Sequence, residues 1–174
     1  MTRRGAATGQ LPLLAAAELA PAATACQRWT GGTHRWRRRR DGGFDRARYH
    51  IRRIADAVAK PWVVREHYLG SFPASRWNWG LYAGEELLGV AVLGIPSHPA
   101  VLTRVFPELV PYQESLVLSR LVLLDAVLAN GETWFLGQVF RAAARQGLRG
   151  VVSFADPVMR RAAERPSGIK PLAR

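Results

Sequence analysis

Asp156 closes an apolar run, Gly150-Val151-Val152-Ser153-Phe154-Ala155, and is followed by Pro157. A carboxylate at the C-terminal end of a buried strand that faces a cleft can act as a general base or bind an exocyclic amine; a simple Asp-Pro turn is the other reading. Arg120 sits inside a second apolar run, Ser115 to Leu124. A charge there is expensive unless it is paired or lies on an open face, so it reads as a cofactor or phosphate contact, or as an ion pair with Glu114 or Asp125. Asn130, Gly131 and Thr133 stand at the start of the clearest helical pattern. The free amides of a helix's first turn attract an anion such as the pyrophosphate of a nucleotide-like cofactor, although capping by Asn130 and Thr133 accounts for the same residue types. No P-loop and no G-x-G-x-x-G accompanies them. His67-Tyr68-Leu69-Gly70-Ser71 forms a third cluster, suited to proton transfer or to stacking on a base, and equally to an ordinary surface loop.

These groups need elements to hold them. Tyr49 to Ile54 alternates like a half-buried strand, and Ala55 to Tyr68 carries apolar residues at helical spacing, with Pro61 expected to kink it or to begin a second segment. Trp77 to Tyr82, a tight turn at Ala83-Gly84-Glu85-Glu86 and Leu87 to Ile95 make a hairpin. Pro96 to Pro111 reads as an irregular connection with one short helix. Ser115 to Leu124 is a strand, Asn130 to Gln146 a helix closed by Gly147, and Arg149 to Ala155 a last strand. The order β-α-β-β-β-α-β predicts an α+β mixed sheet with helices on both faces. Its last strand–helix–strand unit is a right-handed parallel crossover, at whose C-terminal edge ligands bind.

The chain has 174 residues, enough for one domain with a real core. Its 25 basic residues against 13 acidic ones favour a polyanionic partner. Residues 1–60 hold 13 of the basic side chains and only 4 acidic ones, so the positive field is mostly N-terminal. Within it, Arg28-Trp29, Arg35-Trp36 and Arg37 to Arg40 interleave guanidinium with indole, which suits a phosphate backbone and its bases; a solvated basic arm is the alternative. Arg35, Arg37, Arg38, Arg39 and Arg40 are the DNA-contact candidates, on a tail spanning residues 1–43 that is expected to be disordered. A single cysteine, Cys26, precludes an intrachain disulfide and argues against a cysteine-based metal site. The apolar stretch Leu11 to Ala17 resembles an export signal but is interrupted by Glu18 and Pro21 and followed by the arginine cluster. With no apolar run near the roughly 20 residues of a membrane span, the expectation is a cytoplasmic protein without membrane contact.

Taken in order, Arg65-Glu66-His67-Tyr68-Leu69-Gly70-Ser71-Phe72-Pro73, Leu87-Leu88-Gly89-Val90-Ala91, Ser119-Arg120-Leu121-Val122-Leu123, Asn130-Gly131-Glu132-Thr133-Trp134-Phe135-Leu136 and Val151-Val152-Ser153-Phe154-Ala155-Asp156-Pro157 resemble the Mom family of phage-type DNA-modification proteins, which have an acetyltransferase-like (GNAT) fold. The resemblance covers roughly residues 44–157. It implies an enzyme that places a methylcarbamoyl-type group on the N6 amine of adenine in DNA, shielding phage DNA from restriction, with acetyl-CoA as the expected acyl source. Residue by residue it makes Arg120, Thr133 and Asp156 catalytic, with Thr133 standing where the family usually has serine. His67, Tyr68 and Ser71 become substrate contacts, and Asn130 and Gly131 cofactor contacts. The adenine must leave its stack or come from single-stranded DNA.

The glycine-rich pyrophosphate loop of ordinary acetyltransferases is not visible. The family also continues past its Asp-Pro with a Gly-His-x-Gly-x-x-Tyr-type segment, whereas this sequence has no tyrosine after Tyr112. The expectation is therefore a GNAT-like domain, residues 44–157, lacking its last helix and strands and followed by an irregular basic segment, 158–174, so that the chain is either an active enzyme or an inactive remnant. Two other readings stand beside it: a general acetyltransferase of small-molecule or protein amines, and a non-catalytic DNA-binding protein.

Overall fold

A computed structural model describes residues 25–154. The chain begins with an antiparallel pair, β1 (Ala25–Thr30) and β2 (Thr33–Arg38), followed by two single 3-10 turns. Then come β3 (His50–Ile54), α1 (Asp56–Glu66), β4 (Ser75–Ala83), β5 (Glu86–Gly94), the short α2 (Ala100–Thr103), β6 (Ser115–Leu123), α3 (Gly131–Ala144) and β7 (Gly150–Ser153). The second sheet runs β3-β4-β5-β6-β7, antiparallel except for the parallel β6–β7 pair, so the expected α+β mixed sheet and its closing crossover are both present.

A helix packs on each face of that sheet. On one side Ala59, Trp62 and Val63 of α1 meet Val90, Val92 and Val122. On the other, Phe135, Val139, Ala142 and Ala143 of α3 meet Trp79, Leu81, Ala91, Leu93, Leu116 and Leu123. Removing these side chains from water is what holds the layers together. Pro61 does not break α1, which runs on to Glu66 as one element. Asn130 does not cap α3 with its side chain; it takes a left-handed conformation, φ 72°, that turns the chain into the helix. At the other end Gly147, φ 92°, closes the helix in a Schellman arrangement: its N–H reaches the Ala144 carbonyl at 3.0 Å, and that of Leu148 the Ala143 carbonyl at 3.2 Å.

The N-terminal segment departs most from the sequence reading. Residues 25–38, expected to belong to a disordered tail, form a hairpin, because Gly31 (φ 55°) and Gly32 (φ 74°) supply the two positive-φ positions of a tight two-residue turn. Its anchors are distant in sequence. The Gly31 N–H donates to Glu66 Oε2 at 2.6 Å and that of Gly32 to the Glu66 carbonyl at 3.1 Å. Trp29 pairs with Leu124 in a parallel bridge, seating β1 beside the C-terminal end of β6.

Candidate functional site

The site lies on β6, just beyond its last described pair with β7. Among the described residues β7 pairs with Ser115 to Leu118, and none of them pairs with that edge of β6 from Ser119 to Leu123. At the same point the β5–β6 register slips: Leu93 faces Leu118, but Val92 faces Arg120, leaving Ser119 as an extra residue. This bulge inverts the alternation of the strand. Leu116 and Leu118 point to the α3 side before it; Leu121 and Leu123 do so after it, and Arg120 and Val122 turn to the α1 side. Gly94 permits the close approach there, since a Cβ would collide with the Ser119 side chain, and on the Ala74 side would lie 2.7 Å from the carbonyl oxygen.

Turned to the α1 side, Arg120 meets the loop that follows α1. Its Nη2 donates to Ser71 Oγ at 3.2 Å and its Nη1 to the Ser119 carbonyl at 2.7 Å, while its buried Nε has no partner among the described residues. The ion pair with Glu114 or Asp125 considered as an alternative does not form: Glu114 pairs with Arg149 at 3.0 Å and Asp125 with Arg37 at 3.4 Å. Arg120 therefore carries charge and unused donors without a protein carboxylate among the described residues. Burial lowers its pKa, with the nearby Tyr68 acting in the opposite sense.

His67 is buried, 8% exposed, and stacked on Trp29 with ring centres 5.6 Å apart. Its Nδ1 accepts the Leu69 N–H at 3.2 Å, which places the proton of the neutral ring on Nε2. Desolvation, reinforced by the positive charge of Arg120, pushes its pKa down to about 4. At neutral pH the ring is a fixed neutral donor rather than an acid. Tyr68 lies against Trp29 as well, 5.0 Å away and nearly parallel, yet it is 50% exposed and presents polarisable surface to solvent. His67, Tyr68, Ser71 and Arg120, drawn from two parts of the sequence, thus form one cluster. Trp29 is its backing.

Thr133 stands elsewhere. With Asn130 and Glu132 it lines a cleft of about 280 Å³ whose other walls are Leu121 and Leu123 of β6 and Ala25, Cys26, Gln27, Trp29 and Arg39 of the N-terminal segment. Arg120 and Thr133, both expected as catalytic residues, do not face the same side of the sheet. The bulge sends Arg120 to the α1 side, whereas the Thr133 cleft contains Leu121 and Leu123, which face the α3 side. Two adjoining subsites result, with Trp29 common to both.

At the start of α3, the Gly131 N–H is taken by the Leu128 carbonyl at 3.3 Å, while those of Glu132 and Thr133 have no backbone acceptor among the described residues. Gly131 is buried by packing, since a Cβ would meet Val127 Cγ1 at 2.5 Å. The turn before it is fastened by Arg28, whose side chain is wholly buried. Arg28 Nε donates to the Val127 carbonyl and Nη2 to the Leu128 carbonyl, both at 2.7 Å, and Nη1 pairs with Glu132. Desolvation lowers the Arg28 pKa to about 10, which leaves it charged at neutral pH.

The arginine-tryptophan segment is therefore not a uniform arm. Arg28 and Trp29 are buried, and Arg37 is held by the Asp125 carbonyl at 2.8 Å, whereas Arg35, Arg38, Arg39 and Arg40 are exposed. Sequence reasoning missed Arg28, Trp29, Glu66 and Glu132 as parts of the site. The Gly31-Gly32 pair between two Arg-Trp runs was the available signal. Asp156 and the segment 158–174 lie outside the described residues.

The described residues thus form an α+β domain with a cleft at a helix start and, beside it, an arginine that has no carboxylate partner among them. The chain belongs to the Mom protein family, whose model matches residues 48–162. Membership supports phage DNA adenine modification as the activity class, with DNA as the substrate. The match begins beyond the N-terminal hairpin. A comparison with curated proteins finds no match. No helix among the described residues is long and apolar enough to cross a membrane.

Proposed function

We propose that this protein transfers an acyl-type group to the N6 amine of adenine in DNA, with the adenine held in the Arg120 cluster and an acyl-CoA donor in the adjoining cleft. The observation that carries the reading is the Arg120 cluster: a desolvated guanidinium with a buried, unpartnered Nε, beside a neutral His67 and a half-open Tyr68. A flipped base needs a stacking surface and fixed donors in a dry pocket, and Tyr68, Ser71 and Arg120 are of that kind. Trp29 stiffens the platform from behind.

The cleft suits the acyl-pantetheine end of a donor. Leu121 and Leu123 give it an apolar floor, and Arg39 with the Glu132 and Thr133 amides provides positive polarity, while the Glu132 carboxylate is offset by Arg28. Acyl-CoA bound there would supply a thioester carbonyl that the N6 amine attacks, with the C–S bond breaking and CoA leaving as the thiol. Asp156 is the proposed acceptor of the N6 proton. In the parallel β6–β7 register Ser153 lies opposite Leu118, the residue just before the bulge that turns Arg120, and Asp156 follows three residues later in the sequence. Thr133 is proposed to orient the donor, and Asn130 and Gly131 to shape the turn under it.

Mass spectrometry of nucleosides from the DNA of producing cells tests this. A modified deoxyadenosine is expected with the natural sequence and not with Asp156→Ala, which retains its affinity for DNA. Its added mass identifies the group: acetyl is what an acetyl-CoA thioester delivers, whereas a methylcarbamoyl mass, with a nitrogen that this thioester does not carry, overturns acetyl-CoA as the donor. Undiminished modification with Asp156→Ala overturns the role of that residue, and acylation of free amines without DNA overturns the substrate.

A further inference from the structure

The hairpin precedes the region matched by the family model, so the family does not account for it. Residues 25–40 contain six arginines and no acidic residue. The fold sorts those arginines. Arg28 is spent on Glu132 and two carbonyls, and Arg37 on Asp125. Glu66, the third acid beside the hairpin, is held by Arg65 at 2.6 Å and by the Gly31 N–H. The acidic groups under the hairpin are thus offset locally. Arg35, Arg38, Arg39 and Arg40 are left exposed, with no carboxylate in ion-pairing distance among the described residues.

This is a cluster of exposed positive charge on a folded hairpin, Arg35 and Arg38 on opposite faces of β2, and its C-terminal end reaches the cleft. Arg38 ends β2, Arg39 and Arg40 follow in the next turn, and Arg39 is itself a wall of the cleft. The same hairpin backs the proposed base platform through Trp29. Guanidinium groups without a carboxylate partner among the described residues match the oxygens of a polyphosphate chain, and each phosphate they neutralise releases counterions. We infer that the N-terminal hairpin is the DNA-backbone grip of this protein, with Arg35, Arg38 and Arg40 contacting phosphates and Arg28 and Arg37 fastening the hairpin to the domain. The inference rests on DNA being the substrate, but not on the chemistry performed on it.

The test is the salt dependence of binding of the full chain to a duplex of about 30 base pairs without donor, where each lost phosphate contact lowers the slope of log K against log salt by about 0.9. The triple variant Arg35→Gln/Arg38→Gln/Arg40→Gln is expected to lose two to three such contacts, a slope lower by about 2 to 3. Its melting temperature should be unchanged, and the corresponding triple lysine variant should recover most of the slope. Arg37→Gln should lower the melting temperature and leave the slope within one contact of the natural value. A triple variant with the natural slope overturns the inference, as does an Arg37→Gln variant that loses as much slope as the triple. If DNA is held with the expected slopes and no modified nucleoside forms, the proposed chemistry fails and the grip stands. If nucleosides are modified while the triple variant binds normally, the grip fails and the chemistry stands.

Discussion

Arg120 occupies an apolar strand because one extra residue, Ser119, turns it away from the α3 core and toward Ser71 and His67. Without that slip it would share a face with Leu118, and its burial there would cost several kcal/mol. Its charge is one of two causes of the low His67 pKa of about 4, the larger being desolvation. Replacing Arg120 with Met should therefore raise the His67 pKa part of the way toward 6.5, which an NMR titration of the ring will read. The same shift has a stability consequence. The unfolded chain protonates His67 near pH 6.5 while the folded one resists until about 4, so its contribution is complete above pH 6.5 and is lost as pH falls toward 4. Thermal unfolding followed over that window should show stability declining by up to about 1.4 kcal/mol per pH unit. At this scale the sequence showed the residue types and not their faces. His67, Tyr68, Ser71 and Arg120 were legible as candidates, but the bulge that unites them depends on how β5 pairs with β6, which no local pattern carries.

Two elements meet at the cleft, the N-terminal hairpin and the first turn of α3, and Arg28 joins them. Arg28→Met leaves Glu132 without its partner and should destabilise the fold by about 3 to 5 kcal/mol in denaturant titrations. The double variant Arg28→Met/Glu132→Leu should recover most of that loss, because an apolar pair has no charge to desolvate. Gly131→Ala forces a methyl onto Val127 and should cost about 1 to 3 kcal/mol by the same measurement. The central hairpin, β4 and β5, was plain in the sequence, since apolar strands flank a turn at Ala83-Gly84-Glu85-Glu86. The N-terminal hairpin was hidden by its arginines, which read as solvated charge. Its fastenings, Glu66, Asp125 and Glu132, lie 35, 88 and 104 residues away from the groups they hold. Such distances are beyond the reach of a windowed reading.

Among the described residues, two apolar layers fix a five-stranded sheet, and the chemistry-bearing groups collect at the β6 bulge, just beyond the last described β6–β7 pair. The order of strands and helices, and the positive charge of the N-terminal part, were readable from periodicity and composition. That the charge belongs to a folded wall of the site was not, because it required tertiary contacts. Family membership makes DNA the substrate, and the proposed function assigns one subsite to an extruded adenine and the other to its donor. The central claim is that a group passes from that donor to adenine beside Arg120. It is tested most directly by incubating the purified chain with DNA and acyl-CoA isotopically labelled in its acyl group, followed by nucleoside mass spectrometry. The account predicts label in deoxyadenosine, more with single-stranded than duplex DNA, and at least about a hundredfold less with Arg120→Met, the scale of losing a preorganised charge at a reacting group. Label that is absent from deoxyadenosine, or that forms equally well without Arg120, would contradict it.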